Sequence, residues 1–247
     1  MGTEQVIVVT GGTGTLGRVV VELLEADGHE VREVSRRSAA WPIDLRTGDG
    51  LEAALTGAEV VVHCASTQRG GDEEAARHLV EAAKTAGVRH VVYISIVGVD
   101  VVPLGYYRAK LAVEKVIAES GVGWTVLRTT QFHDLIVTLF AGLAKVPLVL
   151  LVPSVRLQPV EVREVAARLA DLAVAEPAGR VPDMGGPEVR PAADFARAYL
   201  AARGRKRLLV PFRLPGKLFG ALRRGGGITP EHADGKGTFE EFLAADK

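Results

Sequence analysis

The stretch Thr10-Gly11-Gly12-Thr13-Gly14-Thr15-Leu16-Gly17 decides the fold of this 247-residue chain. It lies between an apolar run that predicts a buried strand, Gln5–Thr10, and an apolar spacing that predicts a helix, Leu16–Asp27. Glycines at 11, 14 and 17 let the chain turn sharply, let a pyrophosphate approach the backbone, and let the helix pack tightly on the strand. The start of the helix then presents N–H groups and the positive end of its dipole to the phosphates. The motif predicts a dinucleotide-binding turn, with a plain tight strand–helix turn as the alternative.

Strand-like and helix-like segments alternate through the first half of the chain. The further predicted strands are Glu30–Ser35, Glu59–Cys64, His90–Ser95 and Trp124–Leu127, and the further predicted helices are Asp72–Ala86 and Tyr107–Ser120. This alternation is typical of βαβ units with right-handed crossovers. The sequence therefore predicts an α/β protein with a Rossmann-type, doubly wound parallel sheet.

The second half of the chain no longer alternates strands with helices, and its predicted helices are separated by connectors that contain proline. The predicted helices are Gln131–Ala144, Glu161–Ala175, Ala192–Ala202 and Thr238–Ala244. We expect residues 1–130 to form an NAD(P)-binding Rossmann domain. We expect residues 131–247 to form a smaller substrate or cap region that is interleaved with the Rossmann core.

The composition narrows the class of protein. Thirty basic residues balance thirty acidic ones, so no global field attracts nucleic acid or an anionic membrane. No uncharged apolar stretch reaches the roughly 18 residues of a spanning helix, and the start of the chain lacks the features of a signal peptide. The single cysteine and six scattered histidines support neither an internal disulfide nor a metal site. We expect a cytoplasmic protein that binds no metal.

The end of the second strand bears on the choice of cofactor. An NAD-binding fold usually has Asp or Glu there, which accepts hydrogen bonds from the ribose 2′-OH. This chain instead has Ser35, Arg36 and Arg37, and two guanidiniums can pair with a 2′-phosphate. Two solvated surface arginines are the alternative interpretation. The sequence therefore predicts NADP(H) in preference to NAD(H).

Two further loops follow strand ends and are expected to contact the same nucleotide. Asp44-Leu45 is expected to bracket the adenine ring, with the Asp44 carboxylate accepting a hydrogen bond from the adenine amino group. Cys64-Ala65-Ser66 consists of small residues, so that a nucleotide can lie against the backbone. Each loop alone is also consistent with a structural role, but ligands in open α/β sheets bind where successive strands end.

The combined segments resemble the atypical short-chain dehydrogenase/reductases, specifically the NmrA-like NAD(P)-binding group. The matching segments are TGGTGTLG at 10–17, SRR at 35–37, DL at 44–45, VVVHCAS at 60–66, VVYIS at 91–95, YYRAK at 106–110 and TVLRTTQF at 125–132. The resemblance extends through Gln158-Pro159-Val160 and fades in the cap.

The resemblance implies a catalytic Tyr-x-x-x-Lys pair, which Tyr106 and Lys110 match on one helical face. A tyrosine with a pKa of about 10 is a poor acid–base group at neutral pH, and a nearby ammonium stabilises its phenolate. In the family the lysine also holds the nicotinamide ribose, and the tyrosine exchanges a proton with substrate as hydride moves. Tyr107 is the alternative to Tyr106 as the residue that faces the cofactor.

The serine that the family uses to polarise the substrate oxygen is matched only in part. Ser95 ends the fifth strand, but the next positions, often serine in relatives, are Ile96 and Val97. Thr129, after the sixth strand, is a candidate for lining the nicotinamide. The predicted cofactor-binding residues are Gly11, Thr13, Gly14, Thr15, Leu16, Gly17, Ser35, Arg36, Arg37, Asp44, Leu45, Cys64, Ala65, Ser66, Lys110 and Thr129.

These features predict an NADP(H)-dependent oxidoreductase that reduces a small carbonyl or quinone-type substrate by hydride transfer. Many NmrA-like members lack an intact triad and act as redox-sensing dinucleotide binders. A non-catalytic NADP(H)-binding regulator therefore stays as an alternative. A third possibility is a structural cofactor-binding subunit of a larger complex.

The stretch Arg203–Arg224 holds eight basic residues and no acidic one. A solvated surface is the plainest interpretation, and a docking face for an acidic partner or a membrane surface is the second. Nucleic-acid contact is the third, against which the neutral net charge and the lack of a DNA-binding motif argue. We expect a small-molecule substrate, no nucleic-acid partner, and a protein partner only through this stretch.

Overall fold

The structure is a computed structural model that describes residues 4–67, 70–146, 148–151, 154–212 and 214–246. The chain divides into two compact units. The first consists of Met1–Ser95, Gly105–Arg128 and Arg163–Pro182, and the second consists of Ile96–Leu104, Thr129–Val162 and Asp183–Lys247.

The strands in chain order are β1 Val6–Thr10, β2 Glu30–Ser35, β3 Trp41–Pro42, β4 Val60–His63, β5 His90–Ile96, β6 Gly123–Thr129, β7 Leu148–Leu151, β8 Arg156–Leu157, β9 Gly179–Arg180, β10 Arg190–Pro191 and β11 Leu208–Pro211. The helices are α1 Thr15–Ala26, α2 Leu51–Leu55, α3 Asp72–Ala86, α4 Gly105–Ala118, α5 His133–Leu143, α6 Val162–Val174, α7 Ala192–Ala202, α8 Lys217–Arg223 and α9 Phe239–Ala245. A 3-10 helix spans Pro230–His232.

The first unit is built on a seven-stranded sheet in the order β3-β2-β1-β4-β5-β6-β9. β1 lies between β2 and β4 and is parallel to both, with Thr10 opposite Val34 on one side and His63 on the other. The inner strands are almost uniformly apolar because both of their faces are buried. This order, 3-2-1-4-5-6 for the first strands, confirms the predicted Rossmann-type fold.

Parallel pairing brings the ends of β1, β2 and β4 to one edge of the sheet. The segments that leave these strands are the glycine motif after Thr10, the arginine pair after Ser35 and the loop that begins at Cys64. The fold of the first unit therefore collects the predicted cofactor segments at one place.

The core of the second unit lies among α5, α7 and α9. Its largest side chains include Phe140, Phe195, Tyr199 and Phe239, and they recur at the spacing of buried helix faces. At the start of α9, Thr238 accepts a hydrogen bond from the Glu241 N–H. The Glu241 carboxylate accepts one from the Thr238 N–H in return, which completes a capping box.

The predicted long elements are confirmed to within about two residues at most ends. The elements that were not predicted are all short: β3, α2, β8, β9, β10, α8, the 3-10 helix and the strand pair β7–β11. Each spans seven residues or fewer, too short to show a clear period. Arg213, one of the eight cations of the basic stretch, lies outside the described residues.

Candidate functional site

The glycine loop, residues 10–17, is so compact that side chains are excluded at two of its positions. Gly11 has φ +70°, and a Cβ there would lie 2.7 Å from the Ala65 backbone nitrogen. A Cβ on Gly17 would lie 2.3 Å from the Gly11 carbonyl oxygen. Gly11 thus permits contact with the loop after β4, and Gly17 permits α1 to approach the loop.

The N-terminus of α1 is open to an anion. Gly14 caps the helix with extended backbone, and its N–H donates to the Gly11 carbonyl oxygen at 2.9 Å. Among the described residues no side chain caps the first turn. The first-turn N–H groups of Thr15, Leu16 and Gly17 have no partner within a helix, and this geometry is suited to binding a pyrophosphate.

The tip of β2 is joined to the glycine loop by hydrogen bonds. The hydroxyls of Thr13 and Ser35 lie 2.9 Å apart, and the Arg37 N–H donates to Ser35 Oγ at 3.1 Å. Arg36 and Arg37 are exposed, and neither forms an ion pair with any residue that the structure describes. The glycine loop, Ser35 and the backbone of Arg37 are therefore joined at the tip of β2.

One acidic residue beside this loop was missed by the sequence analysis. A Cβ on Gly12 would lie 2.3 Å from Cγ of Glu33, so the Glu33 side chain packs against the loop. Glu33 precedes the strand tip by two residues, and its outward position becomes apparent only once the register of β2 is known. An acid next to this loop is the group that an NAD-selective site would use.

Asp44 and Leu45 have partners that the sequence analysis did not anticipate. Arg46 donates from Nε and Nη2 to the two Asp44 carboxylate oxygens at 3.1 and 2.7 Å, and its N–H donates at 3.0 Å. These hydrogen bonds hold the pKa of Asp44 at about 2. The Leu45 side chain is buried in the core of the first unit. An adenine amino group would share the Asp44 carboxylate with Arg46, and only the backbone of Leu45 remains for the nucleotide.

The loop Cys64–Ser66 lies against the glycine loop through Ala65. Burial raises the pKa of the Cys64 thiol to about 12, so this cysteine is unreactive at neutral pH. Ser66 Oγ donates to Asp72 Oδ2 at 2.8 Å and lies 3.0 Å from the Tyr106 hydroxyl. Ser66 thus connects the cofactor loops to the predicted catalytic tyrosine.

Tyr106 and Lys110 lie close together on α4, as their spacing predicts. Lys110 Nζ is 6.0 Å from the centroid of the Tyr106 ring and 4.9 Å from that of Tyr93. The lysine is buried and donates to the Ile94 carbonyl oxygen at 3.1 Å. Burial lowers the pKa of Lys110 to about 8, and the Asp72 carboxylate opposes that shift.

The protonation state of Tyr106 differs from the sequence-based expectation of a stabilised phenolate. Burial raises its pKa above the usual value, and the negative charge of Asp72 raises it further. The Ser66 hydroxyl lowers the pKa of Tyr106 only if it donates to the phenol oxygen, and it donates to Asp72 instead. The ammonium of Lys110 bonds to a backbone carbonyl instead of the phenol oxygen. These contacts favour the neutral phenol of Tyr106 over its phenolate.

Asp72 is the second residue that sequence reasoning missed. It is the first residue of α3, is buried, and accepts the Thr67 N–H on both oxygens at 2.9 and 3.3 Å. Its only sequence signal is membership of an acidic first helical turn, which is an ordinary favourable feature.

The remaining predicted residues lie as follows. Ser95 is buried in β5, and within the described part of the chain its hydroxyl has no hydrogen-bond partner. Burial also raises the pKa of Tyr107. Thr129 ends β6 but belongs to the second unit, where its carbonyl oxygen accepts the Val97 N–H at 2.9 Å. Ser95 thus has hydrogen-bonding capacity that a ligand could use.

His63 is a buried core residue. Its Nδ1 lies 2.7 Å from the Thr10 hydroxyl, and its ring stacks on Tyr93. Within the described ranges, no group of three His, Cys, Asp or Glu side chains is placed to hold a metal ion. None of the described helices is long and apolar enough to cross a membrane.

The strand order and the glycine loop define a Rossmann-type dinucleotide-binding protein. A family model described as NAD(P)H-binding matches residues 11–138, and the chain belongs to this family. NAD(P) binding is therefore a property of its family, as the glycine loop predicts.

Two curated relatives are similar in sequence. Quinone oxidoreductase 2 of Escherichia coli is 35% identical over 141 residues, which are 52% of this chain and 49% of that protein. NAD(P)H azoreductase of Xenophilus azovorans is 30% identical over 217 residues, which are 81% of this chain and 74% of that protein. The match thus spans about half the length of the quinone oxidoreductase and three quarters of the azoreductase.

A solved structure shares the fold. The crystal structure of the NADPH-dependent quinone oxidoreductase from Escherichia coli, complexed with NADPH, has a TM-score of 0.78 and 20% sequence identity to this chain. The superposition covers 97% of this chain and 99% of that one. The likeness therefore extends over both units as a fold.

Proposed function

We propose that this protein is an NADP(H)-dependent oxidoreductase that reduces a small carbonyl or quinone-type compound by hydride transfer. The observation that carries the proposal is the uncapped N-terminus of α1, together with the exposed Arg36 and Arg37, which form no ion pair with any described residue. The names of the quinone oxidoreductase and azoreductase relatives support a reductive activity.

Different residues of the first unit bind different parts of the cofactor. The first-turn N–H groups of α1 bind the pyrophosphate, and Arg36 and Arg37 pair with the 2′-phosphate. Lys110, whose Nζ lies 6.0 Å from the centroid of the Tyr106 ring, holds the nicotinamide ribose. When bound, the reduced nicotinamide supplies a hydride.

Tyr106 is the proton donor in this proposal. As the carbonyl carbon accepts hydride, the phenol O–H bond of Tyr106 breaks and its proton passes to the substrate oxygen. The hydroxyl of Ser95, which has no hydrogen-bond partner among the described residues, is an auxiliary donor to that oxygen.

Calorimetric titration with NADPH and NADH tests the cofactor assignment. Arg36→Ala is expected to weaken NADPH binding by about tenfold, since a charge-assisted contact contributes about 1.5 kcal/mol, and to leave NADH binding unchanged. Glu33→Gln is the matched variant at the acidic residue that packs against Gly12, and we expect it to leave NADPH binding intact. Tighter binding of NADH that is lost in Glu33→Gln would reverse the assignment.

The catalytic assignment is tested by Tyr106→Phe, with Tyr107→Phe as the control that removes a neighbouring hydroxyl. Consumption of NADPH is followed with a panel of quinones and aldehydes. We expect Tyr106→Phe to lower turnover at least a hundredfold, the usual contribution of a positioned acid. Unchanged turnover in Tyr106→Phe, or an equal loss in Tyr107→Phe, would contradict the assignment.

A second candidate function is an NADP(H)-binding sensor without catalysis. Ile96 and Val97 stand where relatives often have serine, and the Tyr106 hydroxyl is already bonded to Ser66. A sensor is expected to bind NADP⁺ as tightly as NADPH and to transfer hydride to none of the quinones or aldehydes. Turnover of any compound in the panel would exclude it.

We also propose that the basic stretch contacts an acidic protein partner. Arg205 and Lys206 are exposed, and Leu208 beside them has 64% of its surface exposed. Removing the segment from Arg203 onward would delete the core residues Phe239 and Leu243, so truncation is a poor test. Charge reversal at Arg205 and Lys206 is the better one, and an unaltered set of captured partners would count against the proposal.

A further inference from the structure

The Tyr106 hydroxyl lies at the end of a hydrogen-bonded chain that begins at Asp72. Ser66 Oγ and Asp72 Oδ2 are 2.8 Å apart, and Ser66 is the donor because a carboxylate only accepts. A serine hydroxyl has a single proton. At the 3.0 Å contact between Ser66 Oγ and the Tyr106 oxygen, the phenol must therefore be the donor.

The position of Asp72 is fixed independently of the tyrosine. Both of its oxygens accept from the Thr67 N–H, it is the first residue of α3, and 7% of its surface is exposed. The carboxylate therefore has its own anchor, and Ser66 bonds to an acceptor that is already in place.

The other groups around Tyr106 do not favour its ionised form. Lys110 on α4 is the nearby cation, but its Nζ is 6.0 Å from the ring centroid and donates to the Ile94 carbonyl oxygen. Burial raises the pKa values of Tyr93 on β5 and Tyr107 on α4, so it favours the uncharged form of both phenols. Asp72, on α3, places a negative charge one hydroxyl away from the phenol oxygen.

We infer that Asp72, acting through Ser66, keeps Tyr106 protonated, so that the site starts each turnover with an acid and is set for carbonyl reduction across the neutral and alkaline range. In reduction the carbonyl carbon gains hydride, the Tyr106 O–H bond breaks, and the proton goes to the carbonyl oxygen. The phenolate then regains a proton from solvent. Alcohol oxidation needs a phenolate at the outset, which Asp72 disfavours.

Asp72 and Ser66 are positioning residues in this scheme because they act through Tyr106. The inference rests on the proposed function, in which Tyr106 gives its proton to the substrate. The inference adds that the site favours reduction over alcohol oxidation. This preference follows from the order of donors and acceptors in the hydrogen-bonded chain from Tyr106 through Ser66 to Asp72.

The direct test is a spectrophotometric titration of the tyrosines, which requires no substrate. The phenolate absorbance of Tyr106 is isolated as the difference between the wild type and Tyr106→Phe. In Asp72→Asn, which keeps an oxygen for the Thr67 N–H, the Tyr106 phenolate is expected to form at lower pH than in the wild type. Asp72→Ser, with a residue that is also suited to a helix start, is the second variant if the first does not fold.

Glu73→Gln is the matched control. Glu73 is the next residue of α3, is exposed, and pairs with Arg77 at the surface, so this variant removes a charge from the same helical turn. We expect Tyr106 to titrate in it as in the wild type. The inference is overturned if Tyr106 ionises at the same or higher pH in Asp72→Asn, or if Glu73→Gln shifts it equally.

The pH profile of kcat/KM for reduction provides the second readout. In the wild type the value is expected to stay constant into the alkaline range and to fall where Tyr106 ionises. In Asp72→Asn the fall moves to lower pH. If Tyr106→Phe leaves turnover unchanged, the proposed function fails, whereas an absent Asp72 effect with turnover lost in Tyr106→Phe overturns this inference alone.

Discussion

Replacing Gly17 by alanine is expected to displace the glycine loop. The added Cβ would lie 2.3 Å from the Gly11 oxygen, 2.8 Å from the Gly11 carbonyl carbon and 2.9 Å from the Gly12 Cα. All three are backbone atoms, so no side-chain rotation can relieve the contact. Ordinary van der Waals distances begin at 3.4 Å, and the loop or the helix must therefore shift by about 1 Å.

The energetic effect follows from two opposing contributions. Alanine in place of glycine inside a helix stabilises it by about 1 kcal/mol, and overpacking costs about 1–3 kcal/mol. We expect Gly17→Ala to lower the free energy of unfolding by about 1 kcal/mol. Gly142→Ala is the matched control, since Gly142 is also helical and nothing lies within 4 Å of its added Cβ. That variant is expected to be more stable than the wild type, as measured by urea denaturation.

The same shift moves the first-turn N–H groups away from the pyrophosphate. Loss of one hydrogen bond to a charged group costs about 1.5–3 kcal/mol, which is at least tenfold in Kd. Calorimetry with NADPH measures this loss in Gly17→Ala, and Gly142→Ala is expected to bind like the wild type. The reasoning is refuted if Gly17→Ala binds NADPH and resists urea as well as Gly142→Ala does.

Two further predictions concern buried charge. Glu114→Gln is expected to lower the free energy of unfolding by about 3 kcal/mol, because it breaks a buried bidentate ion pair with Arg128 (2.9 and 2.7 Å). The control Glu73→Gln, at an exposed ion pair, is expected to lower it by less than about 1 kcal/mol. Equal losses for the two variants in urea denaturation would contradict this. Burial lowers the pKa of His63 to about 3, so below about pH 6.5 the unfolded chain binds a proton that the native state does not bind. The free energy of unfolding therefore decreases as the pH is lowered. Relative to His63→Gln, the wild type should lose about 3 kcal/mol between pH 6.5 and 4 in denaturation curves, and parallel pH profiles would refute it.

The sequence predicted the fold well because its signals are local. The glycine motif, the apolar strands and the amphipathic helices each require only neighbouring residues to be identified. The convergence of Gly11, Ser35 and Ala65 then followed from parallel pairing, which brings successive strand ends to one edge.

The properties that escaped prediction depend on contacts between distant segments. The state of Tyr106 depends on Asp72, which is 34 positions away on another helix and reaches it through Ser66. Glu33 reaches the glycine loop only because of the register of β2. Asp44 is a different case, since Arg46 stands two residues later and this local pair was visible in the sequence.

The two neighbouring strands β6 and β9 of the first unit are far apart in the sequence, so they leave the ribosome at different times. β6 ends at Thr129, but β9, its neighbour at the sheet edge, begins at Gly179. A nascent chain that has left the ribosome only as far as residue 130 therefore exposes the hydrogen-bonding edge of β6, and unpaired edges invite association with other chains. A cut at residue 130 makes that exposure permanent, so fragments meant to isolate the nucleotide site should retain Arg163–Pro182.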